Sequence, residues 1–129
     1  MLIFVYGTLR VGQGNNRWFL ADVECVQEGV SVAGYKMYTS GGIPAIHHTG
    51  DTRDSVVGDV FDLSTAPNPD LVLAALDQLE GEGEWYHRVE ATTTTGLNVE
   101  LYAMPMSEIE RGFPHEIPEG NWIEWRKSA

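Results

Sequence analysis

Apolar and polar residues follow two different periods along this chain, and the periods divide it into elements. Leu2 to Tyr6 is an unbroken apolar run. It is too short to span a bilayer and predicts a strand buried on both faces. Gly7-Thr8 ends the run, and a loop with Gly12 and Gly14 follows. Asn15 to Leu20 predicts a short helical turn with an asparagine cap. From Val23 to Tyr38 the pattern is strand-like: Val30 and Val32 share one face, and at Gly34 the parity switches to Tyr35 and Met37. Such a switch at glycine marks a bend or bulge. Ser40 to Pro44 predicts a loop, Thr49 to Asp54 an exposed connection, and Val56 to Leu63 another strand.

The strongest helix signal opens at Asn68-Pro69, a capping side chain followed by proline at the first helical position. Leu71, Val72, Ala75, Leu76 and Leu79 repeat with the helical period, and Gly81 supplies the stop. Trp85–Thr94 and Leu97–Met104 predict a hairpin around Thr95-Gly96. Its second strand places Leu97, Val99, Leu101 and Ala103 on one face and Asn98, Glu100 and Tyr102 on the other. Beyond Pro105 the pattern predicts no regular element, only a strap or short strand carrying Trp122 and Trp125. The expected architecture is α+β but mostly β, a small barrel or curled sheet with one clear helix. It forms a single domain over residues 1–129, with the tail from about residue 105 packed on the body.

Charge and composition narrow the function. Nineteen Asp and Glu against eight Lys and Arg give a net charge of −11, which disfavours nucleic acid and anionic membrane surfaces as partners. The single cysteine, Cys25, has no internal disulfide partner and fits a reducing compartment. With no secretory signal at the start, the expected location is cytoplasmic. His47 and His48 are adjacent and point apart in an extended chain, and His87 and His115 are scattered, so no metal is expected. Cys25 sits in a strand pattern without a partnered base and reads as a core residue. No Gly-x-Ser-x-Gly elbow supports serine hydrolysis.

Two stretches carry candidate chemistry. The loop at Tyr6-Gly7-Thr8-Leu9 either turns the chain or presents backbone N–H groups as an anion-sized nest. Near residue 80, Glu80 falls in the last helical turn, where the dipole disfavours a carboxylate, and Asp77, Glu82 and Glu84 add negative charge around it. Both effects, together with burial, raise a carboxyl pKa toward the range of a general acid/base. The competing reading is a solvated acidic loop, with Arg88 as a structural counterion.

Taken together the two stretches resemble the γ-glutamylcyclotransferase-like family. Tyr6-Gly7-Thr8-Leu9-Arg10, with Gly12 and Asn15, is similar to its opening motif. Leu76-Asp77-Gln78-Leu79-Glu80-Gly81, with Tyr86 and Arg88, is similar to its second. Gly34 to Tyr38, Pro44-Ala45-Ile46, Val57 to Phe61 and Gly120-Asn121-Trp122 also match its look, so the resemblance spans nearly the whole chain.

The resemblance implies a small β-barrel with one or two flanking helices and a small-molecule γ-glutamyl substrate. The substrate's α-amine attacks its own γ-carbonyl, expelling an amine or amino acid and leaving 5-oxoproline, with no cofactor. Glu80 would be the catalytic acid/base, and Tyr6, Gly7, Thr8 and Leu9 would hold the glutamyl oxygens, with Tyr86 and Tyr102 as secondary substrate-binding candidates. For both tyrosines a packed ring with its hydroxyl bonded to backbone is the competing reading. Arg10 is expected to reach solvent.

Many relatives carry a proline after the glutamate, where this chain has Gly83 between two acids. Glu82 and Glu84 predict a cationic leaving group, such as a lysine side chain or polyamine. The closest look is to γ-glutamylamine cyclotransferases. Removal of a γ-glutamyl protecting group in a biosynthetic pathway, and a non-catalytic module that binds a γ-glutamyl metabolite, are the alternatives.

Overall fold

The computed structural model describes residues 1–81, 83 and 85–128. Among them, five strands form one sheet in the order β2-β5-β1-β7-β6. These are β1 (Leu2–Val5), β2 (Glu24–Ala33), β5 (Ser55–Asp62), β6 (His87–Thr92) and β7 (Asn98–Ala103). A second sheet has the order β4-β3-β8, from β3 (Tyr35–Thr39), β4 (Pro44–His48) and β8 (His115–Ile117). The helices are α1 (Asn16–Phe19), α2 (Pro69–Glu80), α3 (Met106–Gly112) and α4 (Trp122–Ser128). The mostly-β α+β class expected from the pattern is the class observed.

Strand β1 lies at the centre of the larger sheet, antiparallel to β5 and parallel to β7. Ile3 and Val5 enter one buried cluster, while Phe4 and Tyr6 enter the other. This is the two-faced burial that the unbroken apolar run predicted. The sheet curls until its ends meet. Val32 of β2 bridges Thr93 beside the β6–β7 turn, and Thr94 N–H donates to Ser31 C=O at 2.8 Å. Curling in this way covers strand edges that would otherwise expose unpaired backbone. Met104 N–H donates to Ile46 C=O at 2.8 Å and ties the end of β7 to the smaller sheet.

Helix α2 begins and ends where its sequence signals lie. The Asn68 side chain accepts from Leu71 N–H, Pro69 opens the helix, and Gly81 closes it in the left-handed conformation. Leu76 is buried and Val72 and Leu73 are partly buried, but Leu71 is exposed. The buried stripe is therefore narrower than the apolar pattern suggested.

Several expectations need correction. Pro44 opens β4 rather than ending a loop, as proline can at the first position of a strand. Asn15 does not cap α1 through its side chain. Tyr102 is buried although it alternates with polar Asn98 and Glu100, because the end of β7 is covered on both faces. The tail is regular: α3, β8 and α4 occupy most of it, and β8 pairs with β3. Both helices are only seven residues long and bury one residue each, Ile109 and Trp122, so no helical stripe shows in the sequence.

The tail is anchored at two neighbouring points. Gly120 adopts φ +65°, and an added Cβ there would lie 2.1 Å from the Ser55 carbonyl oxygen, so only glycine fits. Its own C=O accepts from Val57 N–H at 2.8 Å, and Trp122 then inserts, fully buried, into the second cluster. Trp122→Ala should cost about 3–5 kcal/mol in urea denaturation, the range for a large aromatic lost from a core. Trp125→Ala, which removes a half-buried ring, should cost clearly less. Equal losses would show that α4 is not anchored through Trp122.

Candidate active site

The loop after β1 is held so that its acceptors are occupied and its donors are left over. Gly7 C=O accepts from Arg10 N–H at 3.1 Å, and Thr8 C=O from Asn15 N–H at 3.0 Å. Leu9 C=O accepts from the Asn16 side chain at 2.8 Å, and Thr8 Oγ1 from the Asn15 side chain at 2.9 Å. By contrast, the backbone N–H groups of Gly7, Thr8 and Leu9 donate to no acceptor among the described residues. Gly7 is also where the loop meets β4: an added Cβ would lie 2.7 Å from Pro44 Cγ.

A buried carboxylate fixes this loop from below. Asp59, on β5, accepts from Arg10 Nη2 at 3.2 Å and Gly29 N–H at 2.9 Å through Oδ1. Its Oδ2 accepts from Val11 N–H at 2.9 Å. Arg10 Nη1 donates to Asn121 Oδ1 at 3.2 Å, at the start of α4. Arg10 is thus buried and ion-paired, against the expectation that it reaches solvent. The signal missed was Asp59 itself, an acid in the buried interior of β5.

Glu80 stands at the C-terminal end of α2, half-buried, on a cavity of about 120 Å³. The same cavity is lined by Tyr6, Gly7, Thr8, Leu9, Tyr86 and Tyr102, so all seven residues singled out in the sequence surround one space. Residues not singled out also line it: Asn15, Ile43, Pro44 and Leu79 beside the β1 residues Phe4 and Val5. Pro44, Asn15 and Leu79 were visible as parts of the family resemblance, whereas Ile43 carries no sequence signal beyond being apolar.

Burial pushes the Glu80 carboxyl up from 4.5 to about 7. Among the described residues, crowding of negative charge is not a cause of this rise. Asp77 is taken up by the Arg88 guanidinium and by the Tyr102 hydroxyl at 2.7 Å, and Arg88 also donates to Glu100 at 3.1 Å. Glu82 and Glu84, the other acids invoked, lie outside the described residues. Burial, and then the nearby Glu80 charge, also hold the Tyr86 phenol above its ordinary range.

The three tyrosines meet the cavity with their hydroxyls already committed. Tyr6 donates to Tyr102 C=O at 2.6 Å, Tyr86 to Pro44 C=O at 2.7 Å, and Tyr102 to Asp77. Their rings form walls, and Tyr86 adopts the backbone-bonded arrangement that competed with a substrate role. A base near neutrality facing leftover N–H donors can move a proton beside a developing negative oxygen.

The family model described as "Gamma-glutamyl cyclotransferase, AIG2-like" matches residues 3–124. The chain is 32% identical over 126 residues to the γ-glutamylcyclotransferase family protein YtfP of Citrobacter rodentium, covering 96% of each chain. Among solved structures, YkqA from Bacillus subtilis aligns with a TM-score of 0.73 at 26% identity, over 99% of this chain and 42% of that one. A mouse AIG2-like protein shares the fold, with a TM-score of 0.59 at 20% identity, over 80% of this chain and 76% of that one.

Two expected outcomes follow from the site's electrostatics. Asp59→Ala leaves the Arg10 charge buried without its partner and should cost about 3–5 kcal/mol in urea denaturation. A loss below about 1 kcal/mol would mean the loop does not depend on this pair. The second concerns Glu80, whose proton the folded chain keeps to higher pH than the unfolded chain. The associated stability is complete below about pH 4.5 and is lost as pH rises through about 7. Glu80→Gln removes that loss, so wild type should fall behind the variant by on the order of 3 kcal/mol across this window. Parallel stability profiles for the two proteins would show that the carboxyl titrates normally.

Proposed function

Because the chain belongs to the AIG2-like γ-glutamyl cyclotransferase family, we propose that it converts a γ-glutamyl amine or γ-glutamyl amino acid to 5-oxoproline and the free amine, with Glu80 as acid/base. The observation that carries this reading is a carboxyl with a pKa of about 7 on the same small cavity as three unengaged backbone N–H groups.

The steps balance without water or an electron carrier. Glu80, as carboxylate, takes one proton from the substrate's neutral α-amino group as that nitrogen's lone pair forms the bond to the γ-carbonyl carbon. The carbonyl oxygen becomes an oxyanion, which accepts hydrogen bonds from the N–H groups of the Tyr6–Leu9 loop. The oxyanion then re-forms the carbonyl, the bond to the leaving nitrogen breaks, and Glu80 returns the proton to that nitrogen. A pKa near ambient pH suits a group that must act in both directions. Since nucleophile and electrophile belong to one molecule, holding the chain folded removes much of the entropic barrier. Tyr86 and Tyr102 serve this scheme as walls that keep the glutamyl chain bent. The reaction as written calls for neither a metal nor a redox cofactor. Release of a γ-glutamyl protecting group would use the same steps, and residues 1–129 would act as one cytoplasmic domain.

The test is product analysis on a panel of γ-glutamyl compounds, wild type beside Glu80→Gln. Wild type should release 5-oxoproline, and the variant should be slower by about 10²–10⁴-fold. The wild-type kcat/KM should rise with pH through about 7, and the variant should lack that limb. Free glutamate in place of 5-oxoproline would indicate hydrolysis, and ligand binding without turnover would favour a binding module.

A further inference from the structure

The turn that carries the Gly7, Thr8 and Leu9 N–H groups is closed by Arg10, whose own N–H donates to Gly7 C=O. Where the turn sits therefore depends on where the Arg10 side chain is held. Asp59 gives that side chain a single contact, from Nη2 at 3.2 Å, while its two oxygens also serve Gly29 and Val11 N–H. A carboxylate that took the guanidinium in a two-pronged fork would fix its plane, whereas one contact lets it turn about that bond. Arg10 Nε finds no acceptor among the described residues. The second hold comes from Asn121 Oδ1, which accepts from Nη1 at 3.2 Å.

Asn121 is itself fixed from the tail. On one side of it Gly120 C=O accepts from Val57 N–H, and on the other Trp122 is fully buried. Its backbone C=O accepts from Trp125 N–H at 3.0 Å, and its Oδ1 also accepts from Glu124 N–H at 3.3 Å. The same side-chain oxygen thus caps α4 and takes the Arg10 guanidinium. Asn121 is not among the described residues that line the Glu80 cavity, so its effect on the reaction must pass through Arg10.

We propose that Asn121 is a positioning residue for the reaction, holding the plane of the Arg10 guanidinium so that the Gly7–Arg10 turn keeps its N–H groups on the cavity. The inference rests on the cyclotransferase reading above and deepens it. The tail then belongs to the catalytic apparatus rather than merely covering the body: Trp122 docks α4, and Asn121 carries that docking to the loop. A turn that shifts aims its donors away from the place where the oxyanion develops. Misplacement on the order of 1 Å can cost about 10²-fold in rate.

The deciding experiment sets Asn121→Ser beside Asn121→Asp and Trp125→Ala. Serine caps a helix as well as asparagine does, but it is shorter by one bond and lets go of Arg10. Aspartate keeps both the cap and an acceptor for Nη1. Trp125→Ala disturbs α4 and leaves the Arg10 contacts in place. Asn121 is partly exposed and its serine variant keeps the cap, so folding is not at risk, and urea denaturation checks this. Asn121→Ser should lower kcat for 5-oxoproline release about 10- to 100-fold, with KM within about threefold of wild type. Asn121→Asp and Trp125→Ala should both stay within about threefold of wild type in kcat. In amide NMR spectra the Gly7, Thr8 and Leu9 resonances should move in Asn121→Ser and move far less in the other two variants. A folded Asn121→Ser with wild-type kcat or unmoved loop amides would overturn the positioning role, as would equal losses in Asn121→Asp or Trp125→Ala. Absence of 5-oxoproline from wild type would overturn the function instead, and the loop amides then decide the role of Asn121 without chemistry.

Discussion

The carboxylate of Asp59 is the constraint on which the site depends. It is buried in a central strand and accepts from one guanidinium and two backbone N–H groups drawn from separate parts of the chain. A buried charge is costly unless paired and hydrogen-bonded, and here the pairing also imposes geometry. Val11 N–H pins the loop that follows β1, Gly29 N–H pins β2 at its irregularity, and Arg10 reaches on to Asn121 in the tail. The loop carrying Gly7 to Leu9 is therefore held between a rigid strand and a fixed arginine. Its carbonyls are absorbed by Asn15, Asn16 and Arg10, which leaves a short row of N–H donors at the cavity. A loop free to relax would spend those donors on its own acceptors.

A second polar group is arranged in the opposite way. Asp77 lies one helical turn before Glu80, yet it is neutralised by Arg88 and bonded by Tyr102, while Glu80 is left without a cation. The difference separates two carboxylates on one helix into a structural member and a titrating one. Burial then raises the Glu80 proton affinity to near neutrality, at a standing cost in stability above that pH. Paired with Arg88 instead, Glu80 would be a better structural residue and a poor base.

Much of this was legible in the sequence, and the reasons for the exceptions are physical. The unbroken run Leu2–Tyr6 and the Asn68-Pro69…Gly81 frame specify β1 and α2 because local burial and capping chemistry suffice to define them. Tyr6 to Leu9 and Glu80 meet at one cavity because those two elements both end on it, and Tyr86 and Tyr102 join from before β6 and from β7. Arg10 misled because its partner Asp59 is 49 residues away, and no local pattern announces a buried pair. The tail misled because α3 and α4 are too short to show a period, and their stability comes from one anchoring side chain each. Glu80's acidity change was anticipated in direction, with burial named beside the helix end and charge crowding, and burial is the cause the structure shows. Arg88 was visible as a possible counterion, but only the fold shows that it pairs with Asp77.

The chain's net charge of −11 sharpens the demand on the loop. A γ-glutamyl compound carries an α-carboxylate, and a strongly acidic protein repels an anion at long range. That repulsion is screened beyond about 8–10 Å at ordinary salt, so capture falls to groups in contact. Arg10 and Arg88 are not free to supply it, since each is held by a carboxylate in the structure. Backbone N–H groups are what remains beside Glu80, and they have an advantage over a side-chain cation there. A guanidinium in that cavity would pull the Glu80 pKa back down toward its ordinary value, while neutral amide dipoles can hold an oxyanion and exert a weaker pull on the base. The placement of both arginines away from Glu80 and the raised pKa of Glu80 are, on this argument, one design.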